Sequence, residues 1–274
     1  MTQYSIKEVL NKSDIDDFIR VPFSIYKNNP FWVPQLISES RKFFDKSKNP
    51  FFLHSDAKLF IARKNNHPVG RIAGIINNRH NEFHNEKTGF FGFFDCPDDL
   101  GLANDLFEVA TSYVKANGMT KLLGPANFSS NDEWAFLADG FDKMPVFMMP
   151  YNPPYYLELA EKCGFVKAKD LLAYFLDNTK QIPSNVIRIA DLIRKKENIE
   201  VRTIDLSNFK KELKIVREIY NAAWSKNWGF VPMTEEEILH TADDFKKIID
   251  PDLVFIAFSN GEPAGFSLSL PDLN

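Results

Sequence analysis

The chain has 274 residues, with 33 Lys+Arg against 37 Asp+Glu and a formal net charge of −4. This balance excludes the basic footprint of a nucleic-acid partner, and 44% hydrophobic with 26% charged residues excludes a disordered chain. No apolar run approaches the ~18 residues of a membrane helix and residues 1–17 lack a basic-then-apolar leader, so no membrane partner and a cytoplasmic location are expected.

Residues 4–9 alternate like a short strand, and Ser13-Asp14 opens a helical spacing of Ile15, Phe18, Ile19 and Phe23. A breaker cluster from Asn29-Pro30 to Pro34 precedes a second helical spacing over 35–44. The aliphatic runs 57–62 and 68–76, joined by the turn residues Asn65-Asn66-His67-Pro68, predict an antiparallel hairpin. His80 and His84 stand at the spacing of two ligands on a helix, but Asn77-Asn78 and Asn81 around them predict a solvated loop and no metal site.

Residues 88–94 read as a buried strand, followed by a helix with Leu102, Leu106, Val109, Ala110, Tyr113 and Val114 on one side and Gly118 at its end. A strand over 121–123, a long polar-aromatic connection, a helix over 155–162 stopped by Gly164, and closing strands at 165–166 and 171–176 follow. A domain 1–178 therefore precedes an amphipathic linker helix within 179–199, whose terminal Arg194-Lys195-Lys196 complements the helix dipole. Cys96 and Cys163 share no ligand or redox spacing and are expected to be reduced thiols.

Compared with itself at an offset of 195, the chain sets Leu59-Phe60-Ile61-Ala62, Asn65, Pro68 and Gly70 against Val254-Phe255-Ile256-Ala257, Asn260, Pro263 and Gly265. At an offset of 198, Trp32-Val33-Pro34 faces Phe230-Val231-Pro232. The pattern predicts a duplicated domain whose second copy, 200–274, is the first half of the fold. A copy of matching size would run about 100 residues past Asn274.

The order strand, two helices, hairpin, strand, amphipathic helix, strand, helix resembles the GNAT superfamily of N-acetyltransferases. In that family the fourth strand leads into a Gln/Arg-x-x-Gly-x-Gly/Ala loop whose amides hold the coenzyme A pyrophosphate at a helix N-terminus. The matching residues are Asp98-Asp99-Leu100-Gly101-Leu102-Ala103, after the strand ending at Phe94. The resemblance thus implies acetyl-CoA or another acyl-CoA as cofactor, with Phe94, Gly101, Leu102, Ala103 and Asn104 around it, although Asp98 replaces the family's amide or basic residue.

A second family signature, Asn-x-x-Ala-x-x-x-Tyr-x-x-x-Gly-Phe, meets Asn152 to Gly164-Phe165 with Ala160 at the tyrosine position, leaving Tyr156 as the nearby phenolic acid. The implied fold is mixed α/β, a mostly antiparallel central sheet flanked by helices, followed by a partial second copy.

The connection 125–154 follows the C-terminal end of a strand, where ligands bind in α/β sheets. Within it Asp132 and Glu133 are candidate bases, and Asn127, Ser129, Trp134 and Tyr151 candidate substrate contacts. Trp134, Phe136, Phe141, Phe147 and Met148 are expected to form a small core of this loop, Met148-Met149 alternatively lining an acyl or lipid pocket. The resemblance implies acyl transfer from an acyl-CoA to a small-molecule amine. The alternatives are a non-catalytic binding domain of the same fold, or an aminoacyl or peptidyl transferase built from tandem GNAT domains.

Overall fold

The structure is a computed structural model that describes residues 4–177, 179–246 and 248–272. The chain divides into two compact units: one runs to Lys169 and takes in Trp228–Pro232, the other holds Asp170–Asn227 and Met233–Leu273. Asn178, where the sequence boundary falls, lies outside the described residues.

The first unit is a five-stranded sheet in the order β1 (Ser5–Glu8), β2 (Asp56–Lys64), β3 (His67–Ile76), β4 (Thr88–Asp95) and β5 (Lys121–Leu123). All neighbours are antiparallel except β4 and β5, which pair in parallel. β4 is buried along its whole length, as a central strand covered on both faces requires.

Helices α1 (Lys12–Ile25) and α2 (Ile37–Phe43) bring Phe18, Ile19, Val21 and Phe44 onto one core, where they meet Ile61, Ile75, Phe90 and Phe93. The start of α1 is set by Asn11, whose side chain accepts from Asp14 N at 3.0 Å. A second core joins Ile72, Phe91 and Phe94 to α4 (Leu100–Ala116) through Leu102, Leu106 and Phe107, and to α5 (Tyr155–Lys162) through Tyr156 and Leu159.

The second unit holds α6 (Ser184–Lys196), β6 (Ile199–Thr203), α7 (Phe209–Ala223), α8 (Glu235–Phe245), β7 (Val254–Ser259) and β8 (Glu262–Leu268), with an antiparallel sheet β6-β7-β8. Its α7 and α8 pack through Leu213, Ile238 and Ala242. The sequence repeat builds one hairpin twice. Asn65 and Asn66 sit at φ 51° and 65°, Asn260 and Gly261 at φ 51° and 85°, the left-handed pair of a tight hairpin turn. The β2–β3 register slips between Ala62 and Arg63, and the β7–β8 register slips between Ala257 and Phe258, at the same offset of 195.

Two expectations fail locally. His80 and His84 lie on a helix, α3 (Asn78–His84), because the Asn77 side chain accepts from His80 N and caps the turn that its sequence was expected to leave open. Among the described residues no group of three or more His, Cys, Asp or Glu side chains could hold a metal ion.

Residues 165–166 and 171–176 are not strands. Phe165 N donates to Ala160 O at 3.0 Å and Gly164 N to Glu161 O at 2.9 Å, so the closure of α5 uses amides that a ladder would need. Leu171, Leu172, Tyr174, Phe175 and Leu176 are all exposed, and no strand among the described residues pairs with them.

Candidate active site

The site is built where β4 bends. Phe93 sits at φ 49°, and the β3–β4 register slips between its pairs Arg71↔Asp95 and Ala73↔Gly92. Two glycines let the next segment approach the strand. A Cβ on Gly92 would lie 1.8 Å from Ala126 O, and one on Gly124 would lie 2.4 Å from Phe91 O.

Ala126 N therefore reaches Phe91 O at 2.8 Å, and one residue later a side chain takes over from the backbone: Asn127 Oδ1 accepts from Phe93 N at 2.8 Å. Asn127 Nδ2 then donates to Glu133 Oε2 at 3.0 Å, while Gln35 Nε2 donates to Glu133 Oε1 at 3.0 Å.

Glu133 thus faces a cleft of about 910 Å³, its open mouth included, walled by Phe23, Tyr26, Trp32, Phe93 and Tyr151. The Tyr26 and Trp32 rings stack at 5.0 Å, and Phe23 meets Trp32 edge-on at 5.1 Å. Desolvation raises the Glu133 carboxyl above its ordinary range, against the opposing hydrogen bonds from Gln35 and Asn127.

The back of the cleft is a closed polar cluster. Arg71 Nε donates to Asp95 Oδ2 at 2.6 Å, and Asp95 Oδ1 accepts from Tyr26 at 2.9 Å and Tyr156 at 3.2 Å. Arg71 also donates to Phe18 O at 3.1 Å and lies 5.0 Å from the centre of the Phe18 ring. Burial holds the Tyr26 and Tyr156 hydroxyls well above the usual phenol range.

Arg71 and Asp95 neutralise each other, so Glu133 is the remaining ionisable acid of the cleft, and no cation among the described residues forms an ion pair with it. An acid of raised pKa inside an aromatic wall is suited to receive an ammonium group and to take its proton.

The sequence candidates divide. Glu133, Asn127 and Tyr151 line this cleft, with Tyr151 donating to Asn29 Oδ1 at 3.1 Å and Phe141 O at 3.0 Å. Asp132 and Ser129 lie outside its lining, where Asp132 Oδ2 accepts from Ser129 Oγ at 3.0 Å in a local turn. Trp134 packs between Phe90 and Trp228, with ring centroids 5.9 Å and 5.8 Å away.

Tyr156 is buried behind the cleft, where its oxygen accepts from Cys96 N at 2.9 Å and its proton points to Asp95. Phe147 and Met148, expected in a small core, are exposed. Gln35, Tyr26, Trp32, Arg71 and Asp95 were not anticipated. The available signal was a charged residue inside each of two otherwise apolar strand runs, Arg71 in β3 and Asp95 closing β4.

The N-terminus of α4 can be tested for a pyrophosphate from its own contacts. Asp99 caps the helix, accepting from Leu102 N at 3.0 Å on one oxygen and from the Tyr4 hydroxyl at 2.6 Å on the other. The Gly101 amide also bonds this carboxylate, whose pKa is held low first by Tyr4 and then by Leu102.

Of the residues named for the cofactor, Phe94, Leu102 and Ala103 are buried in the second core. Tyr155 donates to Cys96 O at 3.0 Å, and burial pushes its hydroxyl up to about 12. These amides are already committed to a carboxylate, so the residues present do not fit a second anion at this terminus.

No protein-family model matches the chain. Over 270 residues the chain is 36% identical to Protein YghO of Escherichia coli (strain K12), covering 98% of this chain and 68% of that protein. Over 274 residues it is 34% identical to the Bacterial ceramide synthase of Caulobacter vibrioides (strain NA1000 / CB15N), covering 98% of this chain and 70% of that protein. The chain belongs to their family.

The chain is also similar in structure to a tandem GNAT protein from the clavulanic acid biosynthesis pathway. That match has a TM-score of 0.52 and 11% identity, over 99% of this chain and 75% of the other. The fold is therefore GNAT, as the order of elements implied.

Proposed function

We propose that this protein acylates a primary amine, with the cleft of the first unit holding the acceptor and Glu133 as its base. The reading rests on Glu133: a carboxyl of raised pKa, held by two neutral amides, without an ion-pair partner among the described residues, in an aromatic cleft. The family narrows the acceptor. A ceramide is the amide of a fatty acid and a long-chain amino alcohol, so the relative's name points to a long-chain amino alcohol here as well.

An amine bound as ammonium cannot attack a carbonyl, since its lone pair carries the proton. Transfer of that proton to Glu133 frees the nitrogen, and the Tyr26–Trp32 wall with the Gln35 and Asn127 amides fixes the carboxyl toward it. The donor in this reading is an acyl-CoA: the freed nitrogen attacks the thioester carbonyl, the C–N bond forming as the C–S bond breaks, and the coenzyme leaves as a thiolate that takes up the proton the nitrogen sheds. The capped α4 terminus does not serve its pyrophosphate.

The test is amide formation from an acyl-CoA and a long-chain amino alcohol, followed by mass spectrometry. Wild type should form the amide, and Glu133→Gln should lower kcat by about 100-fold or more at unchanged folding. Equal rates in the two proteins would refute the role of Glu133.

A further inference from the structure

The connection that rims the cleft carries a feature the acylation chemistry does not use. Residues 144–149 read Met-Pro-Val-Phe-Met-Met, and Met144, Val146, Phe147, Met148 and Met149 are all exposed by 41% to 51%. Val146 O accepts from Met149 N at 3.0 Å, closing a turn with Phe147 and Met148 at its tip.

Met148 holds φ 63°, a left-handed position that glycine or asparagine fills without strain. The chain thus keeps a large apolar side chain at an exposed turn tip where both solubility and backbone preference favour another residue. A backbone preference broken at an exposed apolar turn points to a use outside the fold.

We infer that this turn is a membrane-contact tip, which enters the apolar layer of a lipid surface and brings the mouth of the cleft to it. The inference rests on the long-chain acceptor reading, because Pro145 and Met149 belong both to the turn and to the cleft lining. An amphiphilic amine leaving a bilayer there passes along apolar side chains to Glu133 without crossing water.

The tip is neither a strand nor a helix, so it offers a protein partner no ladder edge or helical groove. Unbranched methionines conform to a fluid surface. Residues 139–149 hold two anions, Asp139 and Asp142, against one cation, Lys143, so attraction to anionic headgroups is not the driving force. No helix among the described residues is long and apolar enough to cross a membrane, and the contact is interfacial.

The experiment is flotation of the 274-residue chain with phosphatidylcholine–phosphatidylglycerol vesicles at low and high salt. Wild type should co-float to the same extent at both. The double variant Val146→Asp/Met148→Asp should partition about tenfold or more weakly, with an unchanged melting temperature, since Asp tolerates the left-handed region.

Wild type remaining with the free protein, salt-sensitive flotation, or a variant that floats equally well would each overturn the inference. Calorimetry with a detergent-dispersed long-chain amine separates this from the acceptor reading. Retained amine uptake by both proteins leaves the cleft intact whatever the vesicles show, whereas loss in both removes the acceptor reading and leaves flotation to decide the surface alone.

Discussion

Glu133, the proposed base, also makes stability depend on pH. Desolvation raises its carboxyl above the ordinary carboxylate range in the folded chain, so the fold favours its protonated form. The stability it contributes is complete below the unfolded pKa and is lost as pH rises through the folded one. Glu133→Gln removes that loss. Its melting temperature should gain on wild type progressively from acid to neutral pH, and a difference constant with pH would contradict the assignment.

Arg71 behaves otherwise, because it is the cation that keeps buried Asp95 compensated. Arg71→Ala should cost about 3–5 kcal/mol in urea unfolding, whereas Arg71→Leu with Asp95→Asn should restore most of it, since Tyr26 and Tyr156 still find an acceptor. A loss under ~1 kcal/mol in the single variant would show the pair to be solvated. Residue-level reading of the sequence named Glu133 as a candidate base from its place in a long polar loop, and it lies in the cleft lining. It missed Arg71 and Asp95 because their partnership exists only across the β3–β4 register.

At the scale of elements, helix α4 shows how one residue decides what a helix end does. Asp99 gives its carboxylate to the Leu102 amide and to the Tyr4 hydroxyl, which closes the terminus and ties it to the chain's first described residue. Asp99→Ala should destabilise the fold by about 1 kcal/mol and leave the KM for the acyl-CoA donor unchanged, because this terminus does not hold the pyrophosphate. A KM for acyl-CoA changed about tenfold in Asp99→Ala would refute the closed terminus.

Element types in the first unit were legible where spacing and caps agree, as in α1, α4 and the β2–β3 hairpin. The recurrence of the hairpin was legible too, down to the turn shared by Asn65-Asn66 and Asn260-Gly261. Elements that depend on distant partners were not. Residues 171–176 have the composition of a strand, yet a strand forms only beside another, and none among the described residues pairs with them. The α3 helix failed for the converse reason: a single Asn77 cap turns an asparagine-rich stretch from a loop into a helical turn.

At the scale of the whole molecule, the order of elements fixes the GNAT fold, while the two family motifs that would place chemistry in the first unit depart from their pattern at Asp98 and Ala160. The 34% identity to the Bacterial ceramide synthase over 98% of the chain shows the family, and the long-chain acceptor is the reading proposed from it. The cleft holds an aromatic wall, a self-neutralised Arg71–Asp95 pair and Glu133, and the proposed amine site rests on these.

The central claim, that this cleft receives an amine at Glu133, is tested most directly by calorimetric titration of the chain with a long-chain amino alcohol. The account predicts binding by wild type and about 10- to 100-fold weaker binding in Glu133→Gln. Equal affinity in the two proteins would contradict it.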